Sequence, residues 1–335
     1  MKITDYFKPK SLVYTGQYVD QETKFKRIVY DVDKYEVYDD LVKTEGKEYI
    51  KVVGLNDLDK MKELFDMYAI DGFIMEDILN VNQRNKIQAV GDYIFASFSL
   101  MYHEQEEVRK EYMSIILKKD VIITFHETEP EYLLPLETLI KEYKELRKND
   151  VDFIFYQILD LVTDDHLASC DIFDFEMNLF EEEILETKRL GQDKFYVLRK
   201  NILQLQNMTT PLYQQLEDVL KDPDHIFSKV TVKYLDDLID HMNRLEQKLN
   251  HLRDMMKTML DLDMNNQSTR MNKIMSTLTL FSAIFIPLSF LTGFFGMNFV
   301  YFGLLELENA IFFFAAICLA IAGIMLYIFK KNHWF

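Results

Sequence analysis

The rhythm of hydrophobic and polar positions changes three times along the 335-residue chain. Up to about residue 130, short runs rich in β-branched and aromatic residues alternate with turn-prone polar ones. LVYTGQYVD, RIVYDVDKYEVYDD and EYIKVVG lie within residues 12–54, and further runs cover Tyr93–Tyr102 and Tyr112–Phe125. Such runs predict β-strands. Between them Leu58, Met61, Leu64, Phe65 and Tyr68 recur at helical spacing, which predicts a helix over Asp57–Tyr68 with Asn56 as its N-cap. Strands mixed with short helices predict an α/β domain over residues 1–130.

From about Glu131 the period becomes helical. A region over 131–222 contains Asp152–Arg189, rich in Leu, Ile and Phe, with the acidic run Glu181-Glu182-Glu183 as a solvated face. A further helix is predicted over Phe195–Asp218, interrupted or kinked at Pro211. Asp222-Pro223-Asp224 marks a break. Beyond it Leu235, Leu238, Met242, Leu245, Leu249, Leu252, Met256 and Met259 repeat with steps of 3 and 4, a seam for helix packing. The polar stretch Asp261–Lys273 has no helix breaker. One helix over about 226–297 would be roughly 100 Å long, and its part within 223–273 has the form of a stalk.

The third change is to hydrocarbon. Residues 274–296 hold 23 uncharged residues and Ala310–Phe329 another 20. Either stretch is long enough to cross about 30 Å of bilayer core as a helix. The prediction is a transmembrane hairpin of 274–298 and 310–329, joined by the loop 299–309 and closed by the basic tail 330–335.

Charge orients this hairpin. No Lys or Arg stands between Ile274 and Phe329, while Arg270 and Lys273 flank the entrance and Lys330-Lys331 the exit. Positive residues favour the cytoplasmic side, so both ends belong there and the loop, with Glu306 and Glu308 as its charges, belongs outside. The N-terminal MKITDYFKPK lacks the apolar core of a signal peptide, so insertion is expected to depend on the hairpin. The two cysteines, Cys170 and Cys318, form no disulfide framework, which fits a soluble body in a reducing compartment. A net charge of −17, from 55 acidic and 38 basic residues, argues against nucleic acid and suits a surface that attracts cations.

Chemistry concentrates on the first span. Asn272, Met275, Leu278, Ser282, Ile286, Ser289, Gly293 and Gly296 form one face at steps of 3 and 4, largely small or hydroxyl-bearing, with Met275, Leu278 and Ile286 as candidate hydrophobic rings. Phe281, Ile284, Leu288, Leu291 and Phe295 make the opposite face bulky. Small residues also permit plain helix packing. One hairpin cannot enclose a pore, so conduction would require several copies around an axis. Gly296-Met297-Asn298 closes the span. Asn298 offers a neutral carbonyl, and a ring of these could hold hydrated Mg²⁺ through its waters, which Mg²⁺ surrenders reluctantly.

GMN at the end of the first of two C-terminal spans, after a long polar helix and before a short loop, resembles the CorA family of magnesium and cobalt transporters. MNKIMSTLTLFSAIFIPLSFLTGFFGMNF and EDILNVNQR at 76–84 carry the likeness. It implies a homopentamer in the plasma membrane with a funnel-shaped cytoplasmic domain. It also implies a selectivity filter at Gly296, Met297 and Asn298, a polar ring at Asn272 and a constriction at Met275 and Leu278. Regulatory Mg²⁺ bridging neighbouring subunits would fall at Glu76, Asp77, Asp237, His241 and Asp164 or Asp165. The loop FVYFGLLELEN departs from the Met-Pro-Glu-Leu of many members. Ile286 and Ser289 stand where relatives often carry Met and Thr, and Asn82 where some have His.

The expected function is gated, passive influx of Mg²⁺, with Co²⁺ and Ni²⁺ as further ions, inhibited by cytoplasmic Mg²⁺ and without organic cofactor. No GxxxxGK[ST] supports pumping, and no HExxH or GxSxG supports an enzyme. The alternatives are a zinc transporter of the same superfamily, against which stand the full GMN and the absence of a His/Cys cluster near the pore, and a non-conducting membrane-anchored scaffold.

Overall fold

The protein is described by a computed structural model over residues 12–104, 107–186, 191–222, 226–297 and 309–332. Asn298, the loop acids Glu306 and Glu308, and Pro223-Asp224 lie outside the described residues. Two compact units are present, one of residues 1–182 and 191–257, the other of residues 183–190 and 258–335.

The first unit is built on a seven-stranded sheet. Its strands are β1 (Lys24–Tyr30), β2 (Tyr35–Tyr38), β3 (Lys47–Val53), β4 (Lys86–Val90), β5 (Tyr93–Glu104), β6 (Glu107–Lys118) and β7 (Val121–His126), in the order β2-β1-β3-β7-β6-β5-β4. β3 and β7 are parallel, with Ile50 opposite Ile123, and all other neighbours are antiparallel. Period-2 alternation sends successive side chains to opposite faces. On β5, Ile94, Ala96, Phe98 and Leu100 enter one core while Tyr93 and Phe95 enter another.

Short helices α1 (Leu58–Met67) and α2 (Gly72–Leu79) cover the second core through Met61, Leu64, Ile74 and Ile78. The first core is shared with α3 (Leu134–Glu142), α5 (Asp152–Leu185), α6 (Gln192–Val219) and the start of α7 (Lys229–Phe295); α4 (Lys144–Lys148) is a short turn of helix between α3 and α5. The result is a sheet with helices on both faces. Asn85, at the head of β4, ties the sheet to α6, donating to the Met208 carbonyl at 2.9 Å while its own carbonyl accepts from Ser99 N at 3.0 Å. All eight seam residues of α7, Leu235 through Met259, are buried.

Local chemistry departs from the sequence expectation at four places. The N-cap of α1 is Asp57, whose carboxylate accepts from Lys60 N at 3.1 Å, because Asn56 is engaged with Val19 and Thr23. LVYTGQYVD forms no strand, although Thr15 N donates to the Leu79 carbonyl at 3.0 Å. α6 runs through Pro211, which is buried, so side-chain packing holds the helix across the missing N–H bond. β4 was not expected: its KIQAV pattern is short and half polar, and it sits at the sheet edge.

The sheet carries a buried charge network. Glu137 accepts from Lys26 at 2.5 Å and pairs with Lys51 at 2.6 Å, and Lys51 also pairs with Glu129. Burial pushes the Glu137 carboxyl up, but hydrogen bonds from Lys26 and Lys51 outweigh it and hold the group below its ordinary value of 4.5. A depressed folded value stabilises the fold above the unfolded value, and that stability is lost as pH falls through the folded value. Glu137→Gln, which leaves Lys51 buried with a weakened partner set, should cost roughly 3 kcal/mol at pH 7. In thermal melts of the full-length protein the deficit should shrink as pH is lowered below the folded value of Glu137.

Candidate functional site

Two assemblies of candidate residues are visible, one in each unit. The second unit holds the apolar end of α7 and the helix α8 (Ala310–Lys331). Both are long and apolar enough to cross a membrane, and almost none of either apolar window is buried. In water such exposure would be unstable; in hydrocarbon it is the ordinary state. The helices answer the other demand of hydrocarbon, that every polar group be satisfied internally. Thr277, Thr279 and Thr292 donate to the backbone carbonyls of Lys273, Met275 and Ser289 at 2.9, 2.8 and 3.1 Å.

The faces of α7 segregate as its spacing predicts. Leu280, Ile284, Leu288, Leu291 and Phe295 are buried or half-buried, with Phe295 against Phe314 of α8 at 5.3 Å between ring centroids. On the other side Met275, Leu278 and Ile286 are 59, 66 and 68% exposed, and Asn272, Ser289 and Gly293 are exposed as well. Ser282 is half-buried. Phe281 is the exception on the bulky side, being 60% exposed. Apart from Ser282 the stripe is therefore uncovered in the single chain, as are Phe285, Phe290 and Phe294 outside it.

At its end Gly296 N donates to the Thr292 carbonyl at 3.0 Å and Met297 N to Phe294 at 3.3 Å, a last turn that follows the end of α7 at Phe295. A Cβ on Gly296 would stand 3.0 Å from the Thr292 carbonyl, so a larger residue would crowd this turn.

In the first unit, helices α5 and α7 bring together Asp160, Asp164, Asp237 and His241. His241 Nε2 lies 4.0 Å from an Asp237 oxygen, one helical turn away, and its Nδ1 is buried without a hydrogen-bond partner. Burial raises the Asp160 carboxyl, and the negative charges of Asp164 and Asp237 raise it further, against a hydrogen bond from Tyr156 and the nearby His241. Tyr156 is pushed up to about 12 by burial and by Asp160. Asp160 is the member that sequence reasoning missed.

Asp165 points away from this cluster. It lines a separate cavity of about 360 Å³ with Tyr102, Tyr132, Leu161 and Ser169, and burial together with Asp164 raises its carboxyl. Glu76 and Asp77 stand near the end of α2, where Asp77 pairs with Lys86 of β4 and takes no part in the α5–α7 cluster. Among the described residues no group of three or more His, Cys, Asp or Glu has the geometry of a complete metal site. His126 and His166 are fully buried and held neutral, lowered to about 3 and about 4 by burial, with Lys51 adding to the effect at His126. His166 Nε2 accepts from Met101 N at 3.3 Å, a structural role.

An acid raised by its neighbours destabilises the ionised fold, so its contribution is favourable below the unfolded value and is lost as pH rises through the folded one. Asp160→Asn should therefore stabilise the protein in metal-free buffer at pH 7 by roughly 0.5 kcal/mol, the scale of a like-charge pair one helical turn apart. The gain should vanish in melts at pH 3.

Comparison with known proteins gives a consistent answer. The sequence model of a family described as "CorA-like Mg2+ transporter protein" matches residues 52–331. The cobalt/magnesium transport protein CorA of Thermotoga maritima is 28% identical over 342 residues, covering 97% of this chain and 96% of that protein. A putative metal ion transporter of Bacillus subtilis, YfjQ, is 28% identical over 276 residues, covering 81% of this chain and 85% of the relative. Among solved structures, the complete CorA magnesium transporter of Methanocaldococcus jannaschii superposes with a TM-score of 0.74 at 19% identity, covering 93% of this chain and 98% of that one. At that identity the likeness speaks for the fold.

Proposed function

The chain belongs to the CorA-like Mg²⁺ transporter family, and from that premise we propose that it is a passive, gated channel for Mg²⁺ influx, with Co²⁺ and Ni²⁺ as further permeant ions. The observation that carries the reading is the uncovered stripe of α7, from Asn272 to Gly296, which a single chain leaves facing outward. Copies arranged about an axis would turn these stripes inward, and a homopentamer is the proposed arrangement. Asn272 would form a polar ring at the cytoplasmic mouth. Met275, Leu278 and Ile286 would form rings that exclude water when narrow, and Ser282, Ser289 and Gly293 would line the wider path.

At the outer end Gly296, Met297 and Asn298 would form the filter. A neutral amide oxygen attracts a hydrated divalent ion through its waters and lets it leave, whereas a carboxylate would hold it. Glu306 and Glu308 would raise the local cation concentration at this entrance. The protein would lie in the plasma membrane with both termini in the cytoplasm, consistent with Arg270, Lys273, Lys330 and Lys331 at one end of the hairpin.

Inhibition by cytoplasmic Mg²⁺ would act through acids that bridge neighbouring copies. Asp160, Asp164 and Asp237 supply oxygens whose mutual repulsion a divalent cation would relieve, and His241 adds an imidazole beside them. Glu76, Asp77 and Asp165 are the remaining proposed contributors, Asp77 having to exchange Lys86 for the ion. One chain would hold only part of such a site, the rest coming from a neighbouring copy.

Purified protein in liposomes should admit Mg²⁺, and Asn298→Ala should abolish selective influx while the oligomer persists. Proton-linked Zn²⁺ flux without Mg²⁺ flux would identify a zinc transporter instead, and no flux from an intact oligomer a scaffold. Asp77→Ala with Asp237→Ala should weaken inhibition by internal Mg²⁺, measured as the internal concentration that halves the influx. Unchanged inhibition would refute the assignment of these acids.

A further inference from the structure

Between α7 and α8, at the end of the hairpin that carries its basic residues, lies an open groove of about 660 Å³. Asn272, Lys273, Ser276, Thr277, Leu280, Phe281 and Ile284 of α7 line it, with Leu326 of α8 across from them. Its depth is apolar, and Lys273 is the charged residue of its lining. Lys273, Thr277, Leu280 and Ile284 follow one another at steps of 4, 3 and 4, so they form one row of the helix. Leu280 and Ser289 are nine residues apart, about two and a half turns. Apart from Asn272, which stands where the two faces meet, the groove lining faces roughly opposite to the stripe proposed for the pore, toward the periphery of any ring of copies.

Among the described residues Lys273, Lys330 and Lys331 form no ion pair. The nearest acid before Lys273 along α7 is Asp263, about 15 Å away at the helical rise. No charged residue follows Lys273 until the far loop. Leu326 lines the groove, and Lys330 and Lys331 follow it by about one helical turn on the same side of the bilayer. Basic pockets between spans at this level are where acidic headgroups are held.

We propose that this groove binds an anionic glycerophospholipid. Its acyl chain lies against Leu280, Ile284 and Leu326, and its phosphate is held by Lys273 with the Ser276 hydroxyl as a donor. Thr277 already donates its hydroxyl to the Lys273 carbonyl and serves as wall. The inference rests on the reading of α7 and α8 as membrane spans. A second copy is the weaker occupant, because membrane depth fixes every copy at one level and would bring like charges to the same rim.

Native mass spectrometry of the full-length protein, released from detergent in the presence of phosphatidylglycerol or phosphatidylcholine with identical chains, tests this. Phosphatidylglycerol should be retained preferentially. Lys273→Gln should weaken its retention about fivefold, the weight of one cation near an anionic headgroup, and leave phosphatidylcholine unchanged. Leu280→Trp, which fills the groove, should weaken retention of both lipids. Equal retention of the two lipids, or phosphatidylglycerol retention indifferent to both substitutions, would overturn the proposal. So would a Leu280→Trp variant that loses its oligomeric mass but keeps its lipid, since a second copy would then occupy the groove. Phosphatidylglycerol preference in a protein without Mg²⁺ influx would refute the channel and leave the lipid site standing; intact influx without that preference would do the reverse.

Discussion

Hydrocarbon imposes the constraint from which the rest of this protein follows. A chain entering the bilayer must satisfy its backbone internally and find apolar contacts on every outward face. The end of α7 and all of α8 meet the first demand as helices, and the threonines of α7 return their hydroxyls to backbone carbonyls. They meet the second only in part. The bulky row of α7 turns toward α8, but the stripe of Asn272, Leu278, Ser289 and Gly293 remains uncovered. A face that mixes small, hydroxyl and amide groups is poorly matched to lipid, and that mismatch motivates the assembly around an axis.

The N-terminal part of α7 obeys water instead. There the hydrophobic effect needs only one stripe, and the row from Leu235 to Met256 is buried within the first unit while Asp236, Asp237 and Asp240 face outward. α7 thus changes its pattern from a single buried stripe to apolar all round between Met259 and Ile274. The same helix carries, at Asp237 and His241, half of an acidic cluster that α5 completes with Asp160 and Asp164. Repulsion among these groups is tolerable because the surrounding fold is secured by buried packing and by the Lys51–Glu137 network.

Much of this was legible in the sequence, and the illegible parts share a cause. Strict spacing of the α7 seam and two uncharged stretches revealed the helices because a period or a length depends on neighbours in the chain alone. β1, β3 and β5 were legible for the same reason, whereas the single run Tyr112–Phe125 merges the end of β6 with β7. β4 was not, since its Lys86 and Gln88 make a half-polar edge strand whose partner is β5. Asn56 and Asp57 are equally good caps in isolation, and the contacts of Asn56 with Val19 and Thr23 decide between them. Pro211 signals an interruption or a kink, and the helix continues through it. Asp160 carries no signal of its own, and its role emerges only when α5 packs beside α7. The groove at Lys273 and Leu326 likewise joins residues more than fifty positions apart, beyond the reach of local patterns.

A pore lined by α7 requires that its uncovered stripe face water in the assembled protein. Single cysteines along the first span, introduced after Cys170 and Cys318 are replaced by alanine, can be offered a membrane-impermeant thiol reagent in metal-free liposomes. Cysteines at Ser282, Ile286, Ser289 and Gly293 should react, and external Mg²⁺ should slow them, while cysteines at Ile284, Leu288 and Leu291 should stay unreactive. Equal reactivity on both faces, or none on the stripe, would contradict a pore lined by α7.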